Sequence, residues 1–150
     1  PFPFQIFQTK EQILVVYEYK GSMRTVFMDK HQDAPVDSWM GWSNGRWEGD
    51  TLVIDVTGFN GHQWLDRAGN FFSDTAKVVE RWTPRGANHL MYEATIEDPA
   101  VYTRPWKISF PIYRRLEPNA QLVEFNCVPF VEEMMYAPIG LYNPPNRSSR

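Results

Sequence analysis

Short runs in which apolar residues occupy every second position recur along this chain. At residues 51–59, Leu52, Ile54 and Val56 are spaced in this way. Successive side chains of a strand point to opposite faces, so the spacing predicts a strand with one apolar face. Comparable runs predict further strands at residues 4–9, 12–19, 23–28, 39–48, 76–83, 89–97, 106–116 and 121–128.

Turn-forming residues separate these runs and predict local hairpins. Gly49-Asp50 lies between two runs, where glycine allows the positive φ that tight turns require. Residues 58–74 are too long and polar for a hairpin loop, and we expect a short helical turn at residues 63–67. The pattern predicts an all-β fold, an antiparallel up-and-down, lipocalin-like barrel of about eight strands with little helix. Residues 1–150 form one predicted domain, with residues 129–150 as a C-terminal extension.

Composition narrows the range of partners. The net charge is −3 and no basic cluster is present, so neither nucleic acid nor an anionic membrane surface is an expected partner. No apolar stretch is long enough to span a membrane as a helix. The single cysteine, Cys127, excludes an internal disulfide, and its place in a predicted strand indicates a buried, unreactive thiol.

The loop after residue 59 contains the densest group of candidate catalytic residues, His62, Asp66 and Arg67. On one helical turn, His62 and Asp66 would share a face, and a carboxylate would orient the imidazole as a general base. Arg67 would then hold an anionic or carbonyl oxygen. The alternative, which the pattern favours, is that Trp64 and Leu65 plug one end of the barrel.

Two acids in predicted strands are further candidates for acid–base chemistry. Together with Glu93 on the neighbouring predicted strand, Asp55 and Glu80 would face solvent as cross-strand ion pairs with Arg81 or Lys107 if the barrel interior is packed. In a wide barrel they would face a cavity, where loss of solvent raises the pKa of a carboxyl group.

Aromatic residues make up 15% of the chain and allow two interpretations. They can line a ligand cavity, which is usually apolar with a few polar anchors, or they can fill the core and cover a barrel end. The candidate ligand-binding residues are Trp42, Trp47, Trp64, Phe71, Phe72, Trp82, Tyr92 and Trp106.

The histidines give no support for a metal site. His31, His62 and His89 form none of the short pairs that prearrange metal ligands, which favours surface or loop positions. We therefore predict neither a metal nor a cofactor.

A long motif spans residues 38–70 and reads SWMGWSNGRWEGDTLVIDVTGFNGHQWLDRAGN. It resembles an uncharacterised family of exported bacterial proteins, as do DPAVYTRPW at residues 98–106 and LVEFNC at residues 122–127. The resemblance implies a common fold and a periplasmic or secreted location, but no activity. The chain departs from the family at residues 69–73, where the family has a histidine-rich segment, and after Cys127, where the family has His and Glu.

The sequence thus predicts a β-barrel that binds a small apolar or aromatic molecule. One alternative is a cofactor-independent cyclase, isomerase or lyase that uses the acid–base residues named above. Another is a structural or interaction module. The proline-rich C-terminal segment, with Met134, Met135 and Tyr136, is a candidate contact between copies of the chain.

Overall fold

The computed structural model describes residues 2–66, 68–124, 131, 135 and 137–139. Eight strands form one sheet whose spatial order is the chain order. Their bounds are β1 Phe4–Gln8, β2 Gln12–Tyr17, β3 Met23–Phe27, β4 Trp42–Glu48, β5 Thr51–Thr57, β6 Lys77–Pro84, β7 His89–Glu97 and β8 Trp106–Tyr113. The prediction of an all-β fold with about eight strands and little helix is confirmed for the described residues.

The predicted β4–β5 hairpin is confirmed, with Glu48 opposite Thr51 and two residues in the turn. Gly49 occupies the first turn position with φ of +60°. That conformation suits the right-handed twist of the flanking strands and is strained for a residue with a Cβ atom.

One strand pair departs from the predicted antiparallel meander. β3 and β4 are parallel and pair only at Val26–Ser43 and Phe27–Asn44, whereas the other neighbouring strands are antiparallel. A parallel pair requires the chain to cross back to the same end of the sheet, and residues 28–41 make that crossing. The Asn44 side chain holds this segment through two 3.0 Å hydrogen bonds with the backbone of Gln32. We call the short β3–β4 pairing the parallel seam.

The sheet curls strongly. The rings of Phe4 on β1 and Trp82 on β6 lie 5.7 Å apart between centroids. Five strand spacings in a flat sheet would separate these strands by about 24 Å. In the described residues β1 pairs only with β2 and β8 only with β7, so the sheet is a curled half-barrel.

Apolar side chains fill the inner face of the half-barrel. Val15, Val26 and Ile54 are almost completely buried there, and Trp82 packs with them. Phe59 and Phe72, from the connections beside the sheet, pack edge to face at 4.7 Å and join the same core. The predicted cup is therefore occupied by packed side chains where these residues meet.

The long connection between β5 and β6 is anchored by Asp98, whose side chain accepts hydrogen bonds from the backbone N–H (2.6 Å) and hydroxyl (2.9 Å) of Ser73. The predicted helical turn is wrong for residues 63–66. Instead, Trp64 and Phe71 form an antiparallel bridge, and Leu65 donates a 2.6 Å backbone hydrogen bond to Asn70.

Near the C-terminus the prediction of a ninth strand at residues 121–128 is wrong for residues 121–124, which are in no strand. Residues 125–128, including Cys127, lie outside the described residues, as does most of the predicted extension at 129–150. Met135 is described and exposed, whereas Met134 and Tyr136 are not described. Among the described residues, no helix has the length and apolar character needed to cross a bilayer.

Candidate functional site

A groove of about 440 Å³ opens beside the parallel seam, and we call it the seam groove. It forms because β3 and β4 pair at only two positions, so that Met23–Thr25 of β3 and the segment that leads into β4 separate. Gly41 shapes this segment. Its φ is +65°, and a Cβ atom there would lie 2.8 Å from the carbonyl oxygen of Thr57. Glycine thus lets the segment lie directly against β5.

Large apolar side chains form the walls of the seam groove. The rings of Phe27 and Trp42 stack with their centroids 4.5 Å apart. Val36, Trp39 and Met40 are exposed and line the same groove. The seam groove is therefore an open concavity with largely apolar walls, where a small apolar molecule would find contacts.

The inner end of the seam groove includes Arg24 and Ser43, which belong to a buried polar cluster. Arg24 Nη1 donates to both carboxylate oxygens of Glu80, at 2.9 and 3.0 Å, and its Nε donates to Ser43 Oγ at 2.8 Å. Trp82 Nε1 donates to Glu80 Oε2 at 3.1 Å. Both charged side chains are only 8% exposed. We call Tyr17, Arg24, Ser43, Glu80, Trp82 and Tyr92 the ion-pair cluster.

Burial and charge shift the pKa values of three members of this cluster. Burial alone would lower the pKa of Arg24, but the charge and hydrogen bonds of Glu80, with a smaller contribution from Tyr17, raise it overall. Burial raises the pKa of Tyr17, and the positive charge of Arg24 offsets only part of that increase. Burial also raises the pKa of Tyr92, and the negative charge of Glu80 raises it further. The guanidinium is therefore charged and both phenols are neutral at neutral pH.

Two buried donors of residues that line the seam groove lack acceptors among the described residues. They are Nη2 of Arg24 and Nε1 of Trp42, although hydrogen bonding between Tyr17 and the Arg24 guanidinium contributes to the raised pKa of Arg24. A buried donor without an acceptor costs about 1–3 kcal/mol, so such donors are rare in folded proteins. Arg24 shares the inner face of β3 with Val26, whereas Trp42 stacks on Phe27 of the opposite face, so the two donors do not converge on one point.

His62 and Asp66 are not paired in the structure, although the predicted helical turn would have placed them on one face. Asp66 accepts hydrogen bonds from the side chain of Asn70 and from the backbone of Asn70 and Ala68, which together lower its pKa. Among the described residues, no hydrogen bond or ion pair links it to His62. His62 is exposed and lies 6.3 Å from Trp39 between ring centroids, beside the seam groove. Arg67 lies outside the described residues.

The two candidate acids occupy opposite environments. Asp55 forms an ion pair with Arg46 on the outer face, as the solvent-facing interpretation anticipated, although with a different partner. Glu80 lies on the inner face and binds Arg24. Lys107 pairs with Glu93, as the solvent-facing interpretation anticipated, whereas Arg81 pairs with Glu48.

The eight candidate aromatic residues do not line one cavity. Trp82 and Phe72 are buried in the core, Tyr92 packs beside Trp82, and Trp106 packs against Tyr102. The exposed members of the set are Trp47, Trp64 and Phe71. Trp42 alone among the eight lines the seam groove.

The sequence analysis did not identify Arg24 or Tyr17 as site residues, although the apolar pattern around Arg24 contained a signal. Arg24 alternates with Val26 along β3 and therefore shares its apolar face. Glu80 is likewise flanked by Val78 and Trp82 on one face of β6. Two opposite charges, each embedded in an apolar row, indicate a buried ion pair, because isolated buried charges are too costly.

No cluster of three or more potential ligands among His, Cys, Asp and Glu that could hold a metal ion occurs in the part of the chain that the structure describes. Comparisons with known protein families, with curated proteins and with solved structures found no match to this chain. The resemblance of residues 38–70 to exported bacterial proteins therefore stays a prediction.

Proposed function

We propose that this protein binds a small, largely apolar or aromatic molecule in the seam groove. The observation that carries the proposal is a concavity whose walls include the exposed side chains of Val36, Trp39 and Met40. Water covers these side chains at a cost of about 25 cal/mol for each Å² of apolar surface. A ligand that displaces this water recovers that free energy.

By analogy with lipocalins, we propose that the protein is a carrier with a barrel-like fold. The analogy includes closure of the predicted barrel by β1 and β8. The analogy is one of architecture, because the proposed ligand lies at the parallel seam and not at the centre of a barrel. A periplasmic or secreted location, which the resemblance implies, belongs to the same proposal.

The geometry gives less support to the alternative of a cofactor-independent cyclase, isomerase or lyase. A general base needs a free lone pair within reach of the substrate proton. None of the candidate bases Glu80, Asp55 and His62 lines the seam groove. Glu80 is held by Arg24 on the inner face, and Asp55 is paired with Arg46 on the outer face. A groove with apolar walls requires no such base in order to bind.

Two exposed tryptophans provide a matched test. Trp39 lines the seam groove and is 62% exposed, whereas Trp64 lies outside it and is 74% exposed, so neither should be needed for folding. We expect N-phenyl-1-naphthylamine, an uncharged dye that brightens in apolar surroundings, to bind the protein. Trp39→Ala should weaken binding at least about tenfold, because an indole contributes about 1.5–3 kcal/mol of apolar contact.

The Trp64→Ala variant should bind the dye as the parent protein does. Equal weakening by both substitutions would place the dye elsewhere, and an absence of dye binding to the parent protein would reject the proposed function.

A further inference from the structure

The first half of β3 has a backbone edge that faces away from β2. Tyr17 donates a 2.9 Å backbone hydrogen bond to Ser22, which lies opposite it in the register of the two strands. Opposite residues of an antiparallel pair alternate between hydrogen-bonded and non-hydrogen-bonded pairs. The backbone groups of Ser22 and Arg24 therefore point toward β2, whereas those of Met23 and Thr25 point toward the β4 side.

Pairing with β4 ends before it reaches these groups. The parallel seam joins residues 26–27 of β3 to residues 43–44 of β4. In a parallel ladder this register uses the carbonyl of Thr25 for its last bond. The N–H of Thr25 and both backbone groups of Met23 are left without a strand partner among the described residues.

These backbone groups lie along the seam groove. Met23, Arg24 and Thr25 are consecutive in β3, and all three line the groove. Because successive side chains of a strand point to opposite faces, consecutive residues line one groove together where the edge of the strand is open to it. An open strand edge is a place where an extended peptide can add a further strand.

We infer that the seam groove binds a short, uncharged peptide in an extended conformation, which adds a strand to the open edge of β3. This inference rests on the proposed function and names the class of its ligand. One peptide residue opposite Arg24 donates its N–H to the carbonyl of Met23 and accepts from the N–H of Thr25. The two bonds repeat the pattern of the parallel seam.

Side-chain direction defines which peptide residues fit. The peptide residue opposite Arg24 points to the inner face, where Arg24 and Ser43 are buried, so its side chain must be small. The two flanking peptide residues point to the outer face. There the stacked rings of Phe27 and Trp42 and the exposed ring of Trp39 favour aromatic side chains.

The charge of the groove favours an uncharged peptide. Among the described residues that line the seam groove, Arg24 alone is charged, and Glu80 already neutralises it through two hydrogen bonds. A charged side chain of the peptide would therefore lose water without gaining a partner of opposite charge.

Three capped tripeptides test the inference by displacement of N-phenyl-1-naphthylamine. They are N-acetyl-Phe-Ala-Phe-methylamide and two forms of it that are methylated on one backbone nitrogen, either that of alanine or that of the second phenylalanine. Alternate N–H groups of a strand point to opposite edges, so only the alanine N–H reaches the carbonyl of Met23. We expect methylation of alanine to weaken binding at least about tenfold and methylation of the phenylalanine to change it by less than about threefold.

The variants Trp39→Ala and Trp64→Ala locate the tripeptide. Trp39 lines the seam groove, whereas Trp64 lies outside it. We expect Trp39→Ala to weaken binding of the unmethylated tripeptide and Trp64→Ala to leave it unchanged.

The outcomes separate the two proposals. If the dye binds but the unmethylated tripeptide does not displace it, or if both methylations have the same effect, the peptide inference is overturned while an apolar binding site stays in place. Equal effects of the two tryptophan substitutions on the tripeptide would also overturn it. An absence of dye binding to the parent protein would overturn the proposed function and the inference together.

Discussion

At the scale of single residues, the phenols of Tyr17 and Tyr92 show how strongly the ion-pair cluster depends on its surroundings. Both side chains are largely removed from water, and burial is the main reason that their pKa values are raised. The hydroxyl of Tyr92 lies beside the negative charge of Glu80, which opposes ionisation further. Tyr113, by contrast, is 70% exposed on β8. The two environments should be distinguishable by titration.

We expect the free energy of unfolding to fall as the pH rises above about 10, the pKa of an unperturbed tyrosine. Below that pH the folded and unfolded states both keep the phenolic protons, so the two tyrosines make their full contribution to the free energy of unfolding. Above it the unfolded chain loses protons that Tyr17 and Tyr92 retain in the folded protein, so unfolding becomes easier. Tyr92→Phe should make this loss shallower by up to about 1.4 kcal/mol per pH unit, as measured by urea denaturation at several alkaline pH values.

Tyr113→Phe serves as the control and should leave the slope close to that of the parent protein. The absorbance of tyrosinate gives an independent reading, because Tyr92 should ionise only as the protein unfolds. If the Tyr92→Phe and parent slopes are the same, Tyr92 ionises in the folded state and its environment has been misjudged.

At the scale of elements, local turn chemistry and alternation determine the β4–β5 hairpin. Leu52, Ile54 and Val56 are buried as the spacing predicted. Gly49 takes the positive φ that the two-residue turn requires, whereas Asp50 does not have a positive φ. The turn therefore depends on one of its two residues in particular.

Gly49→Ala should lower the free energy of unfolding by about 1–2 kcal/mol, because alanine at positive φ places its Cβ atom too close to the backbone. Asp50→Ala, one residue further on, should change it by less than about 0.5 kcal/mol, as is usual for an exposed site without special geometry. Urea denaturation of the two variants tests this difference, and similar losses would contradict the assigned turn.

At the scale of the whole molecule, the Arg24–Glu80 ion pair links β3 to β6 across the inner face of the half-barrel. The two residues are 56 positions apart in the chain, and they meet because the sheet curls. Burying both charges costs free energy, which their mutual attraction and their bonds to Ser43 and Trp82 offset. We therefore expect the pair to add little net stability compared with apolar residues of similar size.

Arg24→Met should therefore destabilise the protein by about 3–5 kcal/mol, because Glu80 would remain buried without its partner. Adding Glu80→Leu should recover most of that loss, since an apolar pair of similar size then fills the space. Thermal and urea denaturation of the single and double variants measure the coupling. Lys107→Met, in the exposed Glu93–Lys107 pair, is the control and should cost less than about 1 kcal/mol. If the double variant is no more stable than Arg24→Met, an apolar pair cannot take the place of the ion pair, which contradicts the prediction.

Much of the fold could be predicted, but little of the candidate site could. Alternation identified the eight strands because each strand is a local pattern of a few residues. The helical spacing of His62 and Asp66 misled, since the hydrogen bonds of Asp66 to Ala68 and Asn70 form a tight turn instead. Trp42 was identified as a candidate, but only as one aromatic residue among eight.

The sequence by itself determined the strands, the β4–β5 turn and the apolar faces, because these follow from steric limits and from side chains a few residues apart. Only the tertiary structure decided that β3 and β4 run parallel, that Arg24 meets Glu80 and that a groove opens between the strands. These features depend on how distant segments are placed relative to one another. No short stretch of the chain carries that information, since the packing free energy that selects the arrangement arises only when the whole sheet has curled.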